Sequence, residues 1–483
     1  MTEFSPNINK VLNWFKEIVK IPRCSKHEEK MGQWLLDWAK EHSFDANKDA
    51  AGNVLIKVPA TDGYENSPTV VIQGHQDMVC EKTPDSTHDF SNDPIELVFD
   101  GEWLTANKTT LGADNGIAIA IAQAMVLDDA VEHPPLELLF TVDEETGLTG
   151  ANRLEPGFLE GKILLNVDSE DEGVFTIGCA GGNDVEITVP MEFEDAPGGL
   201  GAYRLKAGNM RGGHSGVEIH EQRANAIKAL FRAIDLLAGK YKIRLADAKG
   251  GSAHNAIPRD AEALVLFADG DLQNIKDSLS EIEATIKAEF AKIDPKLTLT
   301  LEPAGAGAAK VLSAAGIKKA TDVVLAMPHG VAGYSYVIEG LVETSNNLAT
   351  IKFEDGNMVI LSSQRSSKLS MLEDLSRKIE SVAILAGGKA HHGEGYPPWE
   401  ANWDSPLLAR CKEVYKRKFG KEPVVEVIHA GLECGIIGDK YLGMDMISFG
   451  PTLKNPHSPD EKLKFGDIDK IWDLMVELFK EFK

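Results

Sequence analysis

Positive charge is in short supply in this chain of 483 residues: 50 Lys and Arg stand against 75 Asp and Glu, a formal charge of -25. Nucleic-acid backbones are held by basic clusters, and the absence of any of substance argues against a nucleic-acid partner. The surplus acid reads as a solvated surface, part of it available as metal-binding carboxylate. Long apolar runs are lacking too. No stretch reaches the roughly 20 residues of a bilayer-crossing helix, which argues against a membrane partner, and the N-terminal segment lacks the uncharged apolar core of a secretory signal. It carries instead Ile8, Val11, Leu12, Phe15 and Val19 at helical spacing. Cysteine is scarce: Cys24, Cys80, Cys179, Cys411 and Cys434 include no close pair and no CxxC. That usage suits reduced thiols in the cytoplasm and argues against a thiolate zinc site.

What is present points to a two- or three-domain α/β protein. TVVIQG (69–74), LELLFTV (136–142) and KILLNV (162–167) are short apolar runs typical of strands buried on both faces. GIAIAIAQAMVL (116–127) is apolar nearly all round, as a helix packed on such a sheet must be. A mostly parallel sheet is therefore expected over residues 1–183, completed by 399–483 with VVEVIHAG, MDMISFGP and a helix from Asp467. Between them, 184–398 reads as an inserted α+β domain. DVEITVPMEFE alternates as a half-exposed strand, HEQRANAIKALFRAIDLLA (220–238) is an amphipathic helix, and a strand–helix–strand rhythm occurs twice without a convincing repeat.

Each apolar run ends in polar residues, and open α/β sheets bind ligands beyond the carboxyl ends of their strands. Hydrolysing an amide at neutral pH with a metal pair needs imidazoles, carboxylates, one carboxylate to bridge and one to act as base. GHQDMV offers His75 and Asp77, two apart and so on one side of an extended chain, where Asp77 can fix the tautomer of His75. TTLGADNG offers Asp114, which an ordinary helix cap would equally explain. TVDEETG offers Glu144 and Glu145, adjacent carboxylates that repel unless a cation lies between them; a solvated acidic turn is the alternative. NVDSED adds Asp168, and FGPTLKNPHSPDE adds His457, a lone loop histidine with no weight by itself. Oxygen and imidazole ligands of this kind suit zinc, manganese or cobalt.

In this order the motifs GHQDMV, LGADNG, TVDEETG, NVDSED and NPHSP resemble the di-zinc exopeptidase family that includes carnosinases, peptidase T and folate-cleaving carboxypeptidases, over nearly the whole chain. HQDMV, GADNG and HAGLECG are most similar to its bacterial Xaa-His dipeptidase branch. The resemblance implies two Zn2+ (Mn2+ or Co2+ being possible substitutes), with Asp114 bridging, His75 and Asp168 on one ion, and Glu145 and His457 on the other. Glu144 would be general base to a bridging hydroxide and Asp77 the partner of His75. A cis peptide is implied at Asp114–Asn115. The inserted domain would be a lid, often used for homodimerisation. There RGGHSG supplies His214 for the oxyanion, GGSAHNAIP supplies Asn255 for substrate, with His254 incidental, and SSQRSS supplies Arg365 for a substrate carboxylate. A glycine-rich turn and an edge-strand arginine are the plain readings of His214 and Arg365. Glu433 in GLECG is expected to line the substrate pocket. Small peptides, most specifically Xaa-His dipeptides, are the expected substrates. An N-acyl amino acid deacylase or an inactive metal-bound scaffold are the rival readings.

Overall fold

The structure, a computed structural model, describes residues 4–305 and 307–483. The chain forms two compact units: one of residues up to Cys179 with Trp399–Val427 and Leu432–Lys483, the other of Ala180–Pro398 with Ile428–Gly431. The return at Trp399 is thus interrupted, because Ile428–Gly431 joins the second unit.

The first unit is built on an eight-stranded sheet. At its centre run β1 (Val70–His75), β2 (Leu136–Thr141), β3 (Ile163–Asn166) and the Asp445–Ser448 strand, all parallel, with β1 between β2 and β3. Every residue of β1 and β2 is buried, which explains their unbroken apolar character. Val54–Val58 and Val174–Cys179 pair antiparallel outside this centre, so the sheet is mixed at its margins. Helix α1 (Ala113–Val126) lies against β1. Its close approach requires Gly74: a Cβ there would stand 2.2 Å from Asn115 Oδ1 and 2.9 Å from Ala118 Cβ. The Asp114–Asn115 peptide is cis.

One expectation fails in this unit. Cys24 and Cys80 form a disulfide, with Cα atoms 5.6 Å apart. They are 56 residues apart in sequence, and a parallel bridge between Cys24 and Met78 brings the two segments together. No local spacing could announce that pairing.

The second unit centres on a nine-stranded sheet in which the two expected strand–helix rhythms merge. β4 (Gly181–Pro190), β5 (Val342–Glu354) and β6 (Asn357–Ser366) are its middle strands, with β6 antiparallel to both neighbours. Helix α2 (Ala226–Ala238) covers the sheet with Leu230, Phe231 and Ile234, in one core with Val185 and Ile187 of β4. It begins six residues later than the expected bound at His220, at the first residue of its apolar stripe. A 3-10 turn at Ile219–Glu221 ends in Gln222 at φ 54°, and the Asn225 side chain then accepts N–H bonds from Ile227 and Lys228 as the cap.

Candidate metal centre and substrate groups

Five segments of the first unit carry the expected ligands, three of them at the carboxyl ends of its parallel strands. His75 closes β1, Asp114 lies in the first turn of α1, Glu144 and Glu145 open a short helix after β2, and Asp168 follows β3 by two residues. His457 comes from the loop between Leu453–Lys454 and Lys462–Lys464. The structure brings them together. Asp114 Oδ1 is 3.1 Å from His75 Nε2, and Asp114 Oδ2 is 3.3 Å from His457 Nε2. Asp168 Oδ1 is 3.5 Å from His75 Nε2, and Glu145 Oε2 is 2.8 Å from His457 Nε2. The arrangement therefore has two halves, His75 with Asp168 and His457 with Glu145, sharing one oxygen each of Asp114.

The electrostatics are those of a crowded acid. Burial, then the charge of Asp114, raises Glu145 despite its bond to His457. Burial is also the main cause holding Asp168 above the usual carboxylate range. Glu144 is pushed well above it, by burial first and then by Asp168, Glu145 and Glu433, with His75 opposing. Burial opposes ionisation of Asp114, yet His457 and His75 keep it below the usual range. Both imidazoles are drawn upward: His457 to about 11 by its bonds to Asp114 and Glu145, His75 well above its ordinary value despite burial, through Asp168, Asp114 and Asp77. Such a set fits divalent cations. Glu145 Oε1 is buried without a hydrogen-bond partner, and one ligand atom each of His75, Asp114 and Glu145 lies within 4.8 Å of the others. The donors are nitrogen and oxygen with no thiolate, suiting zinc, manganese or cobalt.

Around these ligands stands a layer of fixed partners. Asp77 Oδ1 lies 3.3 Å from His75 Nδ1 and accepts the Glu144 N–H at 3.0 Å, while Oδ2 accepts from the Glu145 N–H and the Ser25 hydroxyl. Asp77 thus orients one ligand and the turn that carries two more carboxylates. Asn115 accepts the His75 N–H and donates to Val167 O, tying β1 to the Asp168 turn. Four further contributors escape a reading of the sequence. Glu461 accepts the N–H groups of Leu111, Gly112, Ala113 and Asp114 with its two oxygens at 2.7–3.3 Å. Arg23, 2 % exposed, donates to the carbonyls of Gln76, Asp77 and Gly112. Glu28 accepts the Asp143 N–H, and Asp143 receives the hydroxyls of Thr146 and Thr149. Only Glu461 had any signal, its place four residues after His457; a lone arginine or glutamate in a loop has none.

Glu433 is fully buried, its Oε2 accepting from Gln73 Nε2 and Thr141 Oγ1 at 2.6 Å each, so it braces β1 against β2, while its Oε1 is without a hydrogen-bond partner. Burial, opposed by the Thr141 bond, raises it to about 7.

His214, Asn255 and Arg365 belong to the second unit. His214 Nδ1 accepts the N–H groups of Gly216 and Val217, which places the ring proton on Nε2. Asn255 is half-buried beside it, its carbonyl accepting from Ser215 N–H. His254 pairs with Asp184 at 3.0 Å. Arg365 lies on β6, an interior strand of the sheet, and donates to Tyr396 Oη at 2.8 Å.

The sequence profile described as "Peptidase family M20/M25/M40" matches residues 71–481. The chain is 40% identical over 471 residues to the cytosol non-specific dipeptidase of Escherichia coli K12, covering 97% of this chain and 96% of that one. Its fold matches the crystal structure of aminoacylhistidine dipeptidase from Vibrio alginolyticus with a TM-score of 0.86 at 41% identity, over 100% of this chain and 99% of that one. Aminopeptidase PepT of Bacillus cereus shares the fold at a TM-score of 0.55 and 16% identity, over 98% of each chain.

Proposed function

Because the chain belongs to the peptidase family M20/M25/M40, we propose that it is a metal-dependent dipeptidase whose centre holds two zinc ions on His75, Asp114, Glu145, Asp168 and His457. The observation carrying this is the Asp114 carboxylate with one histidine nitrogen on each oxygen. A metal pair bound there supplies a water of lowered pKa and polarises the scissile carbonyl. Glu144, its proton affinity raised by burial and neighbouring acid, takes a proton from the attacking water and delivers it to the leaving amine. His214 donates its Nε2 proton to the developing oxyanion. Arg365 holds the substrate carboxylate bidentately and Asn255 orients the peptide.

For substrates we propose Xaa-His dipeptides within a broader dipeptide range, following the names of the Vibrio and Escherichia coli relatives. We place the enzyme in the cytoplasm on its likeness to a cytosol dipeptidase; the Cys24–Cys80 bridge weighs the other way, since disulfides are rare there. No described helix is long and apolar enough to cross a membrane. A homodimer through the second unit, where Tyr336, Val337 and Leu385 are exposed, completes the proposal; light scattering at the monomer mass would contradict it.

Glu144→Ala tests the mechanism. It should retain metal while turnover falls by about 10²–10⁴-fold, whereas Asp114→Ala should lose metal as well. Near-normal turnover in Glu144→Ala removes its role as base. Metal retained at the wild-type level in Asp114→Ala removes the shared-ligand reading.

A further inference from the structure

Arg365 stands in a row of the second unit's sheet that no part of the mechanism above explains. Antiparallel register puts Gly182 of β4, Arg365 of β6 and Ser345 of β5 directly opposite one another, so their side-chain positions share a face. On one side of the arginine, Gly182 leaves room for a ring: a Cβ there would come to 2.8 Å of Tyr396, whose hydroxyl accepts from Arg365 Nη1 at 2.8 Å. On the other side, the Ser345 hydroxyl lies 2.7 Å from His429 Nε2. Gly216 marks how tightly these groups gather. A Cβ on it would be 2.7 Å from the His429 carbonyl, 3.0 Å from the His214 ring and 3.3 Å from the Arg365 guanidinium carbon.

Two polar atoms in this row are buried without a hydrogen-bond partner among the described residues: Arg365 Nε and His429 Nδ1. Arg365 is 9% exposed and forms no ion pair within 4.0 Å among the described residues, the Asp184 carboxylate acting on it only through longer-range charge. A buried cation with no anion in contact is costly, as is a buried N–H without an acceptor. Both deficits are met by the same ligand, an anion with two acceptor oxygens. The imidazole is suited to a neutral part in this. Burial, reinforced by the charge of Arg365 and opposed by the Val342 backbone, lowers His429 to about 3, so the ring is uncharged at neutral pH. In the tautomer where the Ser345 hydroxyl donates to Nε2, the single ring proton sits on Nδ1, the atom left without a hydrogen-bond partner.

We infer that His429, held by Ser345, is a second carboxylate-binding residue beside Arg365 and makes recognition of the substrate's free C-terminal carboxylate depend on two different donors. The inference rests on the dipeptidase reading and deepens it. It assigns to a histidine, reached only because Ile428–Gly431 folds with the second unit, the discrimination between a free C-terminus and an amidated or extended one.

The test compares a dipeptide with its C-terminal carboxamide, using the metal-loaded enzyme. His429→Ala should raise KM for the dipeptide by about tenfold, with kcat within about twofold, and leave kcat/KM for the carboxamide unchanged. His429→Asn, which keeps an N–H donor at the Nδ1 position, should recover most of the loss, and the melting temperatures of all three proteins should agree. An unchanged KM in His429→Ala, an equal loss on the carboxamide, or no recovery in His429→Asn overturns the inference and leaves the dipeptidase reading standing. Should the wild type hydrolyse no dipeptide, that reading fails by itself. Calorimetric binding of free histidine against histidinamide then decides the inference separately: a tenfold weakening in His429→Ala confined to the acid supports it, and equal affinities for the two variants refute it.

Discussion

Glu461 and Arg23 hold Asp114 and His75 in place from positions outside the proposed ligand set. Glu461 gathers four successive N–H groups at the start of α1, the region where a helix presents partial positive charge. Glu461→Gln replaces an acceptor oxygen with a second donor facing those N–H groups. It should lower metal affinity by about 10–100-fold with the fold intact, as measured by metal content after dialysis and by circular dichroism. Unaltered metal retention would show that Asp114 needs no such brace. The histidines set the pH dependence. In metal-free protein His457 is raised to about 11 and His75 lies well above its ordinary value. Their ion pairs therefore stabilise the metal-free fold fully below the unfolded pKa near 6.5, and that contribution from His457 is lost as pH rises through about 11. A metal needs the same lone pairs, so binding must release protons and affinity must rise with pH across the neutral range. Calorimetry in buffers of different ionisation enthalpy should show net proton release; proton uptake on zinc binding would reverse the sign and refute the assignment.

At the scale of elements, the contact between β1 and α1 places His75 and Asp114 side by side, and Gly74 permits it. Gly74→Ala drives a methyl into Asn115 and Ala118. It should cost about 1–3 kcal/mol of stability and disturb the His75–Asn115 bond, read as a lower melting temperature with weakened metal binding. A variant as stable and as well loaded as wild type would show that the helix can withdraw without consequence. The same elements show what a sequence discloses. β1, β2 and α1 were readable because strands and helices buried on every side must be apolar on every side, and the carboxyl ends of the strands and the amino end of the helix then pointed to the proposed ligands. The expected start of α2 is six residues too early, because it takes the mainly polar residues 220–225 into the helix although a turn ending at Gln222 and the Asn225 cap precede it. The burial of Glu433 was not legible, because the partners that allow it, Gln73 and Thr141, are hundreds of residues away in sequence. Cys24 and Cys80 are hidden for the same reason, and so are Arg23 and Glu28, whose bonds go to turns that only the folded chain brings near.

Over the whole molecule, the division of labour follows the sheets. The first unit gathers the proposed metal ligands, most of them at the ends of parallel strands, and the second carries Arg365 on its antiparallel sheet with His214, Asn255 and His429 on other segments. Its connectivity is less simple than a single insertion, because four residues of the HAGLECG region fold with the second unit while Glu433 folds with the first. The central proposal is a pair of ions that Asp114 and its four neighbours would hold. Its most direct measurement is a zinc titration of chelated enzyme that follows bound metal and dipeptide hydrolysis in the same samples. Binding should saturate at two ions per chain, with hydrolysis absent before the titration and restored by it. Saturation without turnover, turnover that survives complete chelation, or no zinc bound at all would contradict it.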